Sequence, residues 1–220
     1  PTPLMQDIEA RTLLDVINII PDDCYRNPTA TGLAYTARTF AIYIAIVAGI
    51  LSTDTWWLLT PLILLAGVLV SGLFVIGHDA SHGALFASLR LNKFVARLAM
   101  LPSAHVEAAW DLGHNRIHHG HTVKQGMDFV WHPITLEQWN DMGSLQRLRH
   151  RLEWSAIGPG LYYGREVWWN KMMRFRGSDK WATKIGSDRR RMLLILGGLT
   201  AAISAIGWLQ YGTVIGTIWT

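Results

Sequence analysis

The chain has 220 residues, of which 50% are hydrophobic and only 16% are charged. This composition excludes an intrinsically disordered chain, a collagen and a coiled coil. The single cysteine, Cys24, also excludes a disulfide framework, a four-cysteine zinc site and an iron–sulfur cluster held by this chain alone. The sequence opens on Pro1 and stops at Thr220 within an apolar run, so we expect it to be a piece of a longer protein.

Two apolar stretches in the first half of the chain predict a membrane hairpin. Residues 39–77 contain one charged residue, Asp54, and about 20 apolar residues suffice for a helix to cross the hydrocarbon core. We place the two spans at about 36–53 and 55–77. The pair Trp56–Trp57 lies where membrane helices carry interfacial aromatic residues.

A third apolar run predicts a second hairpin that the chain does not complete. Residues 192–220 contain no charged residue, which fits a full span at about 192–210 and the start of a fourth at 213–220. A soluble helical protein is the alternative, but uncharged runs of this length exceed what a soluble core needs. We therefore treat residues 1–220 as a single membrane domain that is incomplete at its C-terminus.

The basic residues orient the predicted spans. Seventeen of the 20 Lys and Arg residues lie between Arg90 and Arg191, and positive residues stay on the cytoplasmic side of a membrane. The predicted fold is all-α: two transmembrane helical hairpins, the second truncated, with a cytosolic helical cap over residues 78–191, at a bacterial inner membrane. The basic cap suits anionic lipid headgroups or an acidic protein partner, and we expect no nucleic-acid partner.

The histidines predict a metal centre in this cap. Eight of the nine lie within one window of 55 residues. His78 with His82, and His114 with His118, share the i, i+4 spacing that places two side chains on one helix face. With the adjacent His119 they give at least five imidazoles, which is more than one tetrahedral zinc takes. The pattern predicts two metal ions, or one ion and a partly filled second site, and imidazole favours iron, copper or zinc.

The other histidines carry weaker predictions. His121 follows the second group closely, so it is either a ligand or a residue that hydrogen-bonds to one. His105, His132 and His150 are isolated in sequence, and we expect them to be satisfied core or interfacial residues. A zinc protease of the H-E-x-x-H type has Glu after its first histidine, whereas this chain has Asp79 at that position.

The order of these features resembles the membrane fatty acid desaturase family. A membrane hairpin precedes H-D-x-S-H-G at residues 78–83, and H-x-x-x-H-H at residues 114–119 precedes a basic loop and a further apolar run. In that family, histidines of three boxes hold a non-haem di-iron centre on four membrane helices with a cytosolic helical cap. The resemblance implies that Asp79 orients a ligand, with His121 as a second such candidate. It implies these iron ligands: His78, His82, His114, His118 and His119.

The resemblance also implies a reaction: oxygen-dependent desaturation of a fatty acyl chain, which introduces a C=C bond. No common side chain removes hydrogen from an unactivated methylene, so this chemistry falls to two iron ions and molecular oxygen as co-substrate. Electrons would come from an external donor such as a ferredoxin or a b-type cytochrome, because the sequence has no G-x-G-x-x-G motif for a dinucleotide.

Two boxes alone leave other functions open. The family's third box would follow the fourth span, beyond this sequence. The three residues between His114 and His118 also resemble alkane hydroxylases, which place Glu where Gly113 and Asp79 stand, and the first box is similar to that of carotenoid ketolases. A membrane di-iron hydroxylase or ketolase is therefore one alternative. A membrane-anchored zinc hydrolase and a non-enzymatic metal-binding protein are others, although transport sites lie at mid-membrane rather than at its rim.

Overall fold

A computed structural model describes residues 12–128, 130, 134–156 and 158–211. These residues form helices and connecting turns without any strand, which confirms the predicted all-α class. A 3₁₀ helix lies at Asp22–Tyr25, and two helices end in π-helical segments, Asp111–His118 and Tyr163–Met173. The α-helices are α1 (Leu13–Ile17), α2 (Thr29–Leu51), α3 (Trp56–Ser81), α4 (Leu89–Met100), α5 (Glu107–Trp110), α6 (Leu136–Asp141), α7 (Ser144–Glu153), α8 (Pro159–Tyr162) and α9 (Asp179–Tyr211).

Three of the described helices are long and apolar enough to cross a membrane: α2, α3 and α9 as far as Leu209. In the most apolar 18-residue stretch of each helix, only 6 to 17% of the stretch is buried within the described part of the chain. Apolar surface of this extent is unfavourable in water, and a lipid bilayer shields it from water. The prediction of an integral membrane protein is confirmed at this level.

Each of these three helices extends beyond its predicted span, α2 and α9 at the N-terminal end and α3 at the C-terminal end. α2 begins at Thr29, directly after Pro28, which has no N–H to continue a helix towards the N-terminus. α9 begins at Asp179, so its charged first turns and the apolar run that follows them form one continuous helix. The predicted start of a fourth span at 213–220 lies outside the described residues, and the division of the chain into domains stays a prediction.

One buried side chain fixes the loop between α3 and α4. Asn92 is 1% exposed. Its Oδ1 accepts hydrogen bonds from the backbone N–H groups of Leu85 and Phe86, each at 3.1 Å. Its Nδ2 donates to the carbonyl oxygens of Gly83, Phe86 and Ser88 at 3.3, 2.6 and 3.1 Å. The chain is thereby turned back so that α4 packs against the end of α3 that carries the first histidine box.

The contact between α3 and α4 depends on a glycine. A Cβ atom at Gly77 would lie 2.8 Å from Cγ of Met100 and 3.3 Å from the carbonyl oxygen of Ala96. Real Cβ atoms do not approach neighbours so closely, so a larger residue would push the two helices apart. Gly77 directly precedes His78, and this packing therefore sets the position of the first box.

An ion-pair network joins α4, α5 and α9. The Nε atom of Arg97 lies 3.3 Å from Oε2 of Glu107 and 3.2 Å from Oδ1 of Asp188. Asp188 also accepts a hydrogen bond from the backbone N–H of Ala108 at 2.9 Å. Both carboxylates are buried, and burial raises the pKa of Glu107. Buried charges need such partners, so the network fixes the last membrane helix against the cap.

The largest core cluster lies under the second histidine box. It joins the end of α4, most of α5, the second π-helix and the N-terminal half of α9. Its buried members are Met100, Val106, Ala108, Ala109, Trp110, Val167, Met172, Ile185 and Met192.

Candidate metal centre

The first histidine box lies at the C-terminal end of α3. The Nδ1 atom of His78 lies 2.9 Å from Oδ1 of Asp79, and the Nε2 atoms of His78 and His82 lie 3.3 Å apart. A carboxylate only accepts hydrogen bonds, so the ring hydrogen of His78 lies on Nδ1 and Nε2 keeps a free lone pair. The i, i+4 spacing thus aims both imidazoles at one point.

The second box is shaped by a π-helix rather than an α-helix. The backbone N–H of His119 donates to the carbonyl oxygen of His114 at 3.1 Å, an i to i+5 bond. In an α-helix, residue i+5 would lie about 140° further round the axis. The wider turn instead brings the Nε2 atom of His119 to 3.2 Å from that of His114. π-helical turns occur frequently at functional sites.

The two boxes meet and form one cluster. The Nε2 atoms of His78 and His114 are 3.0 Å apart, and Nδ2 of Asn115 ties the boxes together by donating to the carbonyl oxygen of Ser81 at 3.0 Å. One ligand nitrogen from each of four histidines lies within 4.8 Å of the others. Metal–imidazole bonds are about 2.0–2.1 Å long, so opposite ligands of one ion lie about 4.2 Å apart. The four nitrogens therefore nearly match one coordination sphere; they belong to His78, His82, His114 and His119.

His118 lies beside this cluster and points one nitrogen away from it. Its ring stacks on that of His114 at 5.1 Å, while its Nδ1 atom lies 2.7 Å from Oδ1 of Asp128. Asp128 is 2% exposed and also accepts from the backbone N–H groups of Val123 and Val130 at 2.9 and 2.8 Å. A carboxylate on Nδ1 orients an imidazole and leaves its Nε2 atom for a metal. His118 thus offers a further ligand nitrogen beyond the group of four.

Asp128 is a candidate site residue that the sequence alone does not single out. It does for His118 what Asp79 does for His78, but it lies ten residues away along the chain rather than next to its partner. One signal was available, because Asp128 is the only acidic residue between Asp111 and Glu137.

Burial and neighbouring charges lower the pKa of two imidazoles of the cluster, those of His114 and His82. Burial, and then the neighbouring histidines, lower the pKa of His114 to about 3. Burial, and then the charges of His78 and His119, also lower the pKa of His82. A metal binds the neutral imidazole, and protons compete for the same lone pair. At neutral pH His114 and His82 are therefore neutral imidazoles, each with one ring nitrogen whose lone pair can bind a metal.

The isolated histidines differ from the cluster. His105 is 6% exposed, and its two nitrogens lie 2.8 Å from the carbonyl oxygen of Ser103 and 2.7 Å from the hydroxyl of Tyr163. This is the satisfied core histidine that the sequence predicted. His121 lies in the turn after the second box, where its backbone N–H donates to the carbonyl oxygen of His118 at 3.0 Å.

The remaining two histidines lie further along the sequence. The ring of His150 lies 5.5 Å from that of Trp139 and 6.0 Å from that of Trp154. His132 falls outside the described residues, so its predicted core role stays a prediction.

A sequence model described as fatty acid desaturase matches residues 55–220 of the chain. The chain belongs to the fatty acid desaturase family. The match begins just before the second membrane helix and covers both histidine boxes, so the cluster lies within the desaturase region.

Several curated desaturases are similar to this chain. The sn-1 acyl-lipid omega-3 desaturase (ferredoxin) of Synechocystis sp. is 30% identical over 141 residues, which cover 62% of this chain and 38% of the relative. The sn-1 oleoyl-lipid 12-desaturase of Anabaena variabilis is 30% identical over 152 residues, 64% of this chain and 42% of the relative. The endoplasmic reticulum omega-3 fatty acid desaturase of Vigna radiata is 27% identical over 158 residues, which cover 71% of this chain and 40% of the relative. This desaturase chain thus spans roughly two fifths of the length of these relatives.

Proposed function

We propose that the whole protein desaturates a fatty acyl chain carried by a membrane lipid, using molecular oxygen at an iron centre. Three observations support this: the family, the names of the relatives and the histidine cluster. The relatives include an sn-1 acyl-lipid desaturase and an sn-1 oleoyl-lipid desaturase. The convergence of four histidine nitrogens within 4.8 Å of one another is the observation that carries the proposal.

The residues of the cluster fit iron. All of the donors are imidazole nitrogens, which suit iron and leave magnesium or calcium unfavoured. His78, His82, His114 and His119 would hold one ion, and His118 would supply a ligand towards a second. When bound, the iron supplies the activation of oxygen that no side chain can provide.

The protein itself contributes orientation and shielding. Asp79 and Asp128 each hold the Nδ1–H of one histidine, which fixes the plane of that ring. Trp110 stacks on His114 with ring centroids 4.3 Å apart and planes 17° from parallel. It closes the core side of the cluster, because it is only 4% exposed and belongs to the largest apolar core.

The position of the cluster suits a lipid substrate. His78 and His82 lie at the end of a helix that is long and apolar enough to span a membrane. The cluster therefore adjoins the apolar phase in which the acyl chain of a membrane lipid lies. We place this end of α3 on the cytoplasmic side of a bacterial inner membrane, because the basic residues concentrate in the cap.

A ferredoxin is the proposed electron donor. One relative is named as a ferredoxin-dependent enzyme, and the cap of this chain is basic. Opposite charge speeds the encounter of two proteins. The proposal extends to the whole protein, whose remaining part would supply the third histidine box.

The fatty-acid profile of bacteria that express the full-length protein tests this function. We compare the intact protein with His114→Ala, which removes the central imidazole, and with His150→Ala as a control outside the cluster. Gas chromatography with mass detection is expected to show a new unsaturated acid with the intact protein and with His150→Ala, and none with His114→Ala. Hydroxylated or keto products would instead favour an oxygenase of another kind, and an unchanged profile from an iron-loaded intact protein would refute desaturation.

A further inference from the structure

A partly buried tyrosine and a buried histidine form a hydrogen-bonded pair near the histidine cluster. Tyr163 begins the second π-helix, and its hydroxyl lies 2.7 Å from Nε2 of His105. The Nδ1 atom of the same ring lies 2.8 Å from the carbonyl oxygen of Ser103. A carbonyl oxygen only accepts hydrogen bonds, so the ring hydrogen is on Nδ1, and Nε2 accepts the phenolic hydrogen of Tyr163. His105 is thus placed as a base for that one proton.

A tryptophan connects this pair to the cluster. Trp110 stacks on His114 at 4.3 Å, and its ring centroid lies 6.0 Å from that of His105. Phe74 packs against both, 4.9 Å from Trp110 and 4.6 Å from His105. The Nε1 atom of Trp110 is buried and has no hydrogen-bond partner among the described residues. An unbroken series of aromatic contacts therefore leads from His114, through Trp110 and His105, to Tyr163.

The chemistry of these side chains suits one-electron transfer. Tryptophan and tyrosine are among the side chains that lose an electron most easily, and an oxidised phenol is a strong acid that must pass its proton to a base. Burial lowers the pKa of His105 to about 4 and raises the pKa of Tyr163. The resting pair is therefore a neutral imidazole and a neutral phenol. The proton moves only when the electron leaves, and it returns when the electron returns.

We propose that Trp110, His105 and Tyr163 form a one-electron relay that ends in a reversible redox site at Tyr163. The inference rests on the proposed function, because its oxidant is a one-electron oxidant that is produced from molecular oxygen at the histidine cluster. Trp110 gives that oxidant one electron, and Tyr163 then restores Trp110 with one electron of its own. The phenolic O–H bond of Tyr163 breaks, and its proton forms an N–H bond at Nε2 of His105.

The electron and the proton that the relay moves are both accounted for, and together they indicate what the relay does. The oxidant gains one electron, Tyr163 becomes a neutral phenoxyl radical, and His105 becomes an imidazolium whose two N–H groups face Ser103 and the phenoxyl oxygen. The external electron donor later reduces Tyr163, and His105 gives the proton back. The relay thus disposes of oxidant that forms when no acyl chain is in place, before it damages the ligand imidazoles.

Freeze-quenched electron paramagnetic resonance of the full-length, iron-loaded protein tests the relay. The reduced protein is mixed with oxygen in the absence of acyl substrate. The intact protein is expected to give a tyrosyl radical signal that Tyr163→Phe abolishes. Tyr162→Phe is the matched control, because this neighbouring tyrosine donates to the carbonyl oxygen of Val130 at 3.0 Å instead of to a histidine; it is expected to keep the signal.

Two further variants test each step of the relay. His105→Gln keeps an acceptor for the phenol but cannot retain the proton, so the radical is expected to be lost although Tyr163 stays in place. Trp110→Phe keeps an aromatic ring against His114 but resists oxidation, so the radical is again expected to be lost. Iron content is measured in every variant, and unchanged iron shows that the cluster has kept its structure.

The outcomes separate this inference from the proposed function. A signal of undiminished size in Tyr163→Phe, or no tyrosyl signal in an intact protein that binds iron and makes unsaturated acids, overturns the relay and leaves desaturation standing. An intact protein that neither binds iron nor makes unsaturated acids overturns both, since the relay then has no oxidant.

Discussion

The histidine cluster and the buried His105 are two environments in one small cap, and both hold imidazoles whose pKa is low. His105 has a hydrogen-bond partner on each nitrogen and is 6% exposed. In the cluster, by contrast, the Nε2 atoms of His78, His114 and His119 face one another at 3.0 and 3.2 Å. His105 is buried, whereas the four cluster histidines are half-buried or exposed, and of the two regions only the cluster directs several nitrogens at one point. Convergence on one point therefore distinguishes a candidate ligand from a core histidine.

The largest effect that separates the two regions is expected in metal content. His78→Ala removes a nitrogen that lies 3.0 Å from that of His114, so we expect the full-length protein to lose nearly all bound iron. His105→Gln removes an imidazole of the core and is expected to retain the iron. Elemental analysis of the purified proteins measures both. Equal iron in the two variants would remove the distinction between the regions.

The next largest effect is expected in the pH dependence of the free energy of unfolding, and the titration of His105 causes it. Its pKa falls from 6.5 when unfolded to about 4 when folded, so the unfolded chain binds the extra proton between these values. Stability is therefore fully present above pH 6.5 and is lost as the pH falls towards 4, by up to about 3 kcal/mol. Unfolding of the iron-loaded protein in detergent from pH 7 to 4 measures the slope.

His105→Gln provides the control for that slope. The variant has no imidazole at this position, so its loss of stability on acidification is expected to be smaller than that of the intact protein. The slopes are compared, because the substitution also changes stability at every pH. Identical slopes would show that His105 is not a buried neutral group.

A smaller effect concerns the two carboxylates that orient ligands. Asp128→Asn is expected to lower iron affinity by about 10- to 100-fold, because the buried carboxylate holds Nδ1 of His118 at 2.7 Å. Asp79→Asn is expected to have a weaker effect, since Asp79 is half-exposed and holds His78 at 2.9 Å. Titration of the metal-free proteins with ferrous iron, without oxygen, compares them. A larger loss with Asp79→Asn would reverse the assignment of the stronger partner.

The smallest effect is expected from the helix packing beside the cluster. Gly77→Ala places a methyl group 2.8 Å from Met100, and overpacking of this kind costs about 1–3 kcal/mol. Gly67→Ala on the same helix is the matched control, because a Cβ there meets nothing within 4 Å. Thermal unfolding is expected to show a loss for the first and none for the second. Equal midpoints would mean that α4 adjusts freely to the added methyl.

The sequence predicts the helices well because long uncharged runs have few alternatives. Three helices that can span a membrane lie where those runs are. The bounds depend on features outside the runs: Pro28 precedes the first helix, and the charged turns from Asp179 extend the last. Hydropathy does not record these features, so the first and third predicted spans begin later than α2 and α9 do.

The sequence predicts which types of residue form the site, but it does not predict which of the histidines lie together. An α-helical period pairs His114 with His118, whereas the structure groups His114 with His119 through a π-helical turn. Asp128 and the partners of Arg97 are contacts between distant parts of the chain. No local pattern marks them, since each partner is an ordinary charged residue until the fold brings it into the interior.

The π-helical turn also bears on how a centre of this kind changes in evolution. A wider turn holds one residue more than an α-helical turn would. Deletion of one of the three residues between His114 and His118 would place His119 four residues after His114, where an ordinary α-helix also puts the two side chains on one face. The histidines would all remain, and His119 would keep its place beside His114. Gain or loss of one residue, with a change between α-helix and π-helix, is therefore a route by which the spacing of the box can change while its histidines stay grouped.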